Sequence, residues 1–261
     1  MSEPETQPDE ISVRAAEVAA DVTEAERPQD RQRLAAAFVK AAGSSARVAG
    51  RGTRAAWRGM GTARRGAGSG TGWLAGQVTA MAPRLRVRDQ AALREQFPGQ
   101  SADDIADSLI DGASRASAAA GGAAGVWAAL PTLPAFPVEI AAETLAVVGI
   151  EIRLVAELHE VYGMGVSGSV SERMSSYVAA WAGQGSAVLA PGSLVLAAGS
   201  PLRKRLSRRL ARRAGRNTLT LAPLLLGAAV GTLLNRRETR RVARKVLANL
   251  RQEPGVRWQW D

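Results

Sequence analysis

The longest helical period in the chain runs from Pro137 to about Tyr162. Glu139, Glu143, Ala146, Ile150, Arg153, Glu157 and Glu160 recur at alternating spacings of four and three, which predicts one polar stripe. Leu145, Val148, Ile152, Val155 and His159 fall on another side. The pattern predicts an amphipathic helix of roughly 39 Å, at about 1.5 Å per residue. Gly163 follows Tyr162 as its stop signal, because glycine readily adopts the left-handed conformation that ends many helices.

Shorter periods flank it. "RDQAALREQFPG" predicts a short helix stopped near Pro98 and Gly99. "SADD" fits a capping box, with Ser101 starting a helix whose apolar face holds Ile105, Leu109 and Ile110. Leu202, Leu206 and Leu210 make a narrow stripe, as do Val242, Val246 and Leu250. A helix over Ala35–Val48 is also expected. No alternating strand pattern with hairpin turns competes, so the fold is predicted to be all-α. It is a helical bundle with Ala/Gly-rich apolar helices, long amphipathic helices and a disordered N-terminal tail.

Three charge-free runs interrupt this pattern: residues 116–138, 174–202 and 217–235. The first is long enough on count to cross a bilayer, but Pro131, Pro134 and Pro137 would break it. Its part "ASAAAGGAAGVWAAL" predicts a small-residue helix built for close contact, with "PTLPAFP" as a rigid connector. The second predicts two short helices around "APGS". The third carries Pro223 and the small-residue pair Gly227 and Gly231. Each run either meets lipid or forms a core.

Charge changes the picture because it comes in blocks. The net charge is +10, yet residues 1–30 hold −7, 31–94 hold +12, 95–180 hold −8 and 181–261 hold +13. Residues 1–30 are expected to be an acidic disordered tail without a secretory signal. Residues 31–86 are a basic Gly/Arg-rich segment, partly helical or linker, in which Arg47, Arg51, Arg54 and Arg58 would form a stripe. "GAGSGTG" lacks the G-K-[ST] ending of a phosphate loop and is read as flexible linker. Residues 87–251 are the helical domain and 252–261 a C-terminal tail. The arginine excess, with only Lys40, Lys204 and Lys245 as lysines, reflects either phosphate recognition or GC-rich coding.

The third apolar run lies between "LRKRLSRRLARRAGR" and "NRRETRRVARKVLANLR". Arg203, Lys204, Arg208 and Arg212 on one side, and Arg236, Arg237, Arg240, Arg241, Arg244 and Lys245 on the other, are the candidate anionic-surface residues. Both helices could lie on an anionic leaflet, with the apolar run as a shallow or re-entrant hairpin. In a soluble bundle the run would instead be core, and the arginines would pair with the acidic middle block.

Little catalytic chemistry is available. The chain has no cysteine and one histidine. Glu157 precedes His159 by two residues, whereas carboxylate-bridged di-metal bundles need Glu-x-x-His. Gly163 stands where the second histidine of H-E-x-x-H belongs, and no G-x-S-x-G elbow occurs. Asp103, Asp107 and Asp111 share a helix face, but such a face is more often solvated or arginine-paired than metal-bound. No catalytic, cofactor or metal residue is assigned. Glu139, Glu143, Arg153, Glu157, His159, Glu160, Tyr162 and Gly163 form the candidate structural or functional helix.

Residues 96–251, with Pro131, Pro134 and Pro137, then Ala156, Tyr162 and Gly163, then Pro223, Gly227 and Gly231, resemble uncharacterised helical proteins of high-GC actinobacteria. More distantly the plan is similar to the EcsC-like and YcjF-like membrane-associated helical families, with "PAFPVE" where those carry an Asp-Ile-Pro turn. The resemblance implies fold and membrane proximity. The expected function is therefore a non-enzymatic protein on the cytoplasmic side of the membrane, binding anionic lipid or a membrane protein. The alternatives are nucleic-acid binding through Arg47–Arg65 and Arg203–Arg216, a soluble interaction or scaffold protein, and a hydrolase using Glu157, His159 and Glu160. No partner or oligomeric state is encoded.

Overall fold

The structure is a computed structural model that describes residues 7–25, 27–37, 63–128, 136–183, 204, 206–213 and 226–252. Among these residues the chain is helical and has no strand. The helices are α1 (Gln7–Glu24), α2 (28–37), α3 (Ala63–Met81), α4 (Gln90–Gln96), α5 (Ala102–Ala128), α6 (Phe136–Val161), α7 (Val170–Trp181), α8 (206–213) and α9 (Leu226–Gln252). The expected all-α bundle is what forms. The arginine stripe at 47–58, residues 131–135 of the expected connector, the "APGS" run and residues 253–261 of the expected C-terminal tail lie outside the described residues, while residues 136–137 belong to α6 and residue 252 to α9.

Helix α6 is the axis of the bundle. It contacts α1, α3, α4, α5, α7 and α9. Every residue from Ala142 to His159 is buried. The amphipathic reading of this helix is thus corrected: it is covered on all sides, as helices in the centre of larger domains are. The stripe of Glu143, Arg153 and Glu157 faces Asn235, Glu24 and Arg88 from other parts of the chain, not solvent. Its ends follow the sequence signals. Pro137 sits in the first turn, where its missing N–H costs nothing. At the other end Gly163 has φ +60°, its N–H donates to Glu160 O, and Met164 N–H donates to His159 O at 2.7 Å. This bond pair is a Schellman cap.

Two close helix approaches fix the packing. Helix α9 packs along α5, and their backbones meet at Gly121 and Gly231. A Cβ on Gly231 would lie 3.1 Å from the Gly121 carbonyl oxygen, so the small residues set this crossing. Gly149 of α6 plays the same part against α1, where an added Cβ would come within 2.9 Å of Ala19 Cβ.

The N-terminal segments differ from expectation. Within the first 30 residues, read as an acidic tail, α1 buries Ala15, Ala16, Ala19 and Val22 in the main core. Part of the Gly-rich tract read as linker lies in α3, which buries Leu74, Val78 and Met81 in the same core. Spacings of four and three among those apolar residues outweigh the low helix propensity of the glycines before them. Ordered packing thus begins well before position 87.

The described part of the third apolar run and the basic segment after it are one uninterrupted helix, α9, rather than an apolar hairpin arm and a separate helix. Asn235, at their junction, is buried and hydrogen-bonded rather than a break. Val242, Val246 and Leu250 face the core as expected, and so do Leu206 and Leu210. Among the described residues no helix is long and apolar enough to cross a membrane.

Candidate functional site

The buried acids of α6 build two polar networks. In the first, Glu151 accepts from Trp181 Nε1 (2.9 Å), Arg213 Nη1 (2.9 Å) and Thr239 Oγ1 (3.0 Å). The Thr239 hydroxyl also shares a hydrogen bond with Ser117 at 2.9 Å. Arg213 Nη2 reaches Asn235 Oδ1 at 3.4 Å, and Asn235 Nδ2 donates to Glu143 Oε1 at 2.9 Å. One chain of polar contacts therefore joins α5, α6, α7, α8 and α9. Burial pushes the Glu143 carboxyl up to about 7, against the opposing pull of Asn235 and Arg213.

The second network ties α1 and the segment before α4 to the axis. Glu157 accepts from Arg153 Nε (2.9 Å) and from Arg88 Nε (2.8 Å) and Nη2 (2.6 Å). Arg153 also donates to Glu24 (2.9 Å) and to the Ala20 carbonyl (3.3 Å). Burial works against the Arg153 charge, yet Glu157 and Glu24 hold its pKa above the ordinary value. Removing one member of such a cluster leaves a buried charge unpaired, so these groups specify how the helices meet.

The remaining residues of the candidate helix are separated by these partners. His159 is buried with Nδ1 2.7 Å from the Val155 carbonyl, and burial lowers its pKa. Its ring lies 5.5 Å from Tyr177, whose hydroxyl donates to Glu160 at 3.0 Å. Glu157 faces Arg88 and Arg153, so the structure does not bring Glu157, His159 and Glu160 to one accessible point. Tyr162 donates to Asp103, which also accepts from Arg251 at 2.7 Å. Asp111 pairs with Arg240 at 2.6 Å, so two of the three α5 aspartates are arginine-paired. Among the described residues no three metal-capable side chains gather. The Glu139 side chain lies outside the described residues.

The basic candidates fall into two groups. Arg203 lies outside the described residues, and Lys204 is exposed beside α8. Arg208 and Arg212 of α8 and Arg241 and Lys245 of α9 converge on one cleft of about 610 Å³, whose other charged lining residues are Arg209 and Glu238. Arg236, Arg237 and Arg244 are exposed on α9 outside the cleft, and Arg240 is half-buried against α5. At a helical step of about 100° per residue, Leu233, Leu234, Arg237, Arg241, Arg244 and Lys245 share one outward arc of α9. Leu233 is 53% exposed and Leu234 40%.

Two arginines that anchor α8 were not singled out by the sequence reading. The Arg209 guanidinium lies 4.0 Å from the centre of the Trp181 ring and donates to the Trp181 carbonyl, fixing α8 to the end of α7. Arg213 is buried on Glu151. A signal for the second existed. Arg213 continues the buried stripe of Leu206 and Leu210 at the next spacing of three.

Comparison with protein-family models, with curated proteins and with solved structures finds no match for the chain.

Proposed function

We propose that the protein is a non-enzymatic helical protein that docks on anionic membrane surfaces through the outward arc of α9. The observation that carries this reading is the pair Leu233 and Leu234, exposed on the same arc of the helix as Arg237, Arg241, Arg244 and Lys245. Two exposed leucines can enter the acyl boundary while the cations meet lipid phosphates. Each basic residue close to an anionic leaflet contributes about 1 kcal/mol, screened within a Debye length. The resemblance to membrane-associated helical families supports the same direction and the cytoplasmic leaflet as its place. The internal pairing of Glu151, Arg153 and Glu157 gives these groups a structural role and supports a protein without chemistry of its own.

Flotation of the full chain with phosphatidylcholine vesicles, with and without phosphatidylglycerol, tests this. Binding should require the anionic lipid and fall with salt. Replacing Arg237 and Arg244 with Gln, or Leu233 and Leu234 with Ser, should weaken it. Indifference to both vesicles, with salt-sensitive retention of duplex DNA, would transfer the basic surface to nucleic acid.

A further inference from the structure

The cleft between α7, α8 and α9 goes beyond a diffuse basic surface. We infer that it is a binding site for a terminal phosphate group, a phosphomonoester or a pyrophosphate. Its geometry carries this. Arg208 and Arg212 are four residues apart on α8, and Arg241 and Lys245 are four apart on α9. Each pair therefore stands one turn apart on its own helix, and the two pairs line the same cleft. Arg208 Nε donates to the Lys204 carbonyl at 3.3 Å and Arg212 Nε to the Arg208 carbonyl at 3.4 Å. Both stems are thereby held along the helix.

The floor is the end of α7. Gly183 has φ +89°, and a Cβ there would sit 3.4 Å from Lys245 Nζ. The ammonium thus lies against bare backbone. Trp181 is buried beneath and is clamped by Arg209 on one side and by Glu151 on its indole N–H. Ala180, Ala182, Val242 and Val246 add apolar lining, and the polar side chains beside them are the cations, Glu238 and Asn249.

Among the described residues, five cations and one carboxylate, Glu238, line the cleft, with Glu238 3.7 Å from Arg241. The excess favours a ligand carrying more than one negative charge on a compact group. A terminal phosphate supplies that charge with oxygens matched to arginine forks, whereas a phosphodiester supplies one charge and two substituents that the concave floor would crowd. The volume lies within the range of small-ligand sites. The phosphate can come from a lipid headgroup or from a soluble ester, since the chemistry recognised is the same.

The test uses the full chain and calorimetric titration with pyrophosphate at fixed ionic strength. The double variant Arg208→Gln, Lys245→Gln should lose affinity by at least about tenfold, the scale of one charge-assisted hydrogen bond. Glu238→Gln should bind more tightly, a gain that misfolding does not produce. The double variant Arg237→Gln, Arg244→Gln should keep its pyrophosphate affinity even where it no longer floats with phosphatidylglycerol vesicles. This separates the cleft from the part of the docking arc that lies outside it. Vesicles with phosphatidic acid, compared with phosphatidylglycerol at equal charge, identify the source. A preference that depends on Arg208 and Lys245 assigns a lipid headgroup, and pyrophosphate binding without that preference assigns a soluble ester. Absence of pyrophosphate binding, or equal losses from both arginine sets, overturns the site.

Discussion

Glutamine in place of Glu143 should stabilise the protein at and above neutral pH and leave it unchanged near and below pH 4.5. The Glu143 carboxyl is 5% exposed and accepts one hydrogen bond, from Asn235 at 2.9 Å. Burial raises its pKa from 4.5 to about 7. Between those values the native state holds a proton that the unfolded chain has released. Stability therefore falls as pH rises through the window, and the full penalty stands above about pH 7. The rise from 4.5 to about 7, at about 1.36 kcal/mol for each tenfold change in proton affinity, makes that penalty about 3 kcal/mol. The substituted amide keeps the shape and the acceptor for Asn235 and removes the charge. His159 works in the opposite sense: burial lowers its pKa below 6.5, so its contribution improves as pH rises toward that value. This background is common to both proteins and cancels in their difference. Urea denaturation at about pH 5, 6.5 and 8 measures it, with the m-value checked for constancy. The gap between Glu143→Gln and the native protein should open with pH to about 3 kcal/mol. Parallel stability curves, or a variant weaker at every pH, would refute the reasoning. Either result would mean that Arg213 keeps Glu143 charged in the fold.

Glu151→Leu removes the acceptor shared by Arg213, Trp181 and Thr239 and should cost about 3–5 kcal/mol by chemical denaturation. Adding Arg213→Met should recover part of that loss, and a strictly additive double variant would disprove the coupling. Gly231→Ala places a methyl 3.1 Å from the Gly121 carbonyl. It should cost about 1–3 kcal/mol, read as a lowered Tm; an unchanged Tm would show that α5 and α9 separate freely. Gly163→Ala forces a Cβ into φ +60° and should cost about 1–2 kcal/mol, with no loss expected if the cap frays.

The helical spans were more legible than their surroundings. Pro137 and Gly163 mark the ends of α6 because both act through local backbone sterics. Ile105, Leu109 and Ile110 announce the buried face of α5 for a similar reason, since periodicity is local. The environment of Glu143, Arg153 and Glu157 was not legible. A polar stripe looks the same whether water or Arg88, Glu24 and Asn235 covers it, and those partners are distant in sequence. Helix α1 was hidden by composition. Its acids suggest a solvated tail, while Ala15, Ala16 and Ala19 carry too little hydrophobicity to announce a core face. The cationic cleft was half legible: Arg208, Arg212, Arg241 and Lys245 were named, but their convergence on Trp181 and Gly183 depends on the docking of α7.

The block charges acquire a direction from this packing. Arg213, Arg240 and Arg251, from the basic C-terminal block, pair with Glu151, Asp111 and Asp103 of the acidic block. Only the first pair is buried. The other two are largely exposed and contribute little stability. Their effect is geometric. Asp103, Asp107 and Asp111 lie on α5 along the Arg240 and Arg251 edge of α9, where the two helices pack. An anion approaching that edge meets carboxylates. On the opposite edge, toward α8, the same helix offers Arg241 and Lys245 beside Arg208 and Arg212, with Glu238 as the one carboxylate lining the cleft among the described residues. The acidic block therefore does more than cancel charge. It closes one side of α9 to anions and leaves the α8 side as the attractive approach, so a docked anionic surface and a terminal phosphate in the cleft would be reached from the same direction.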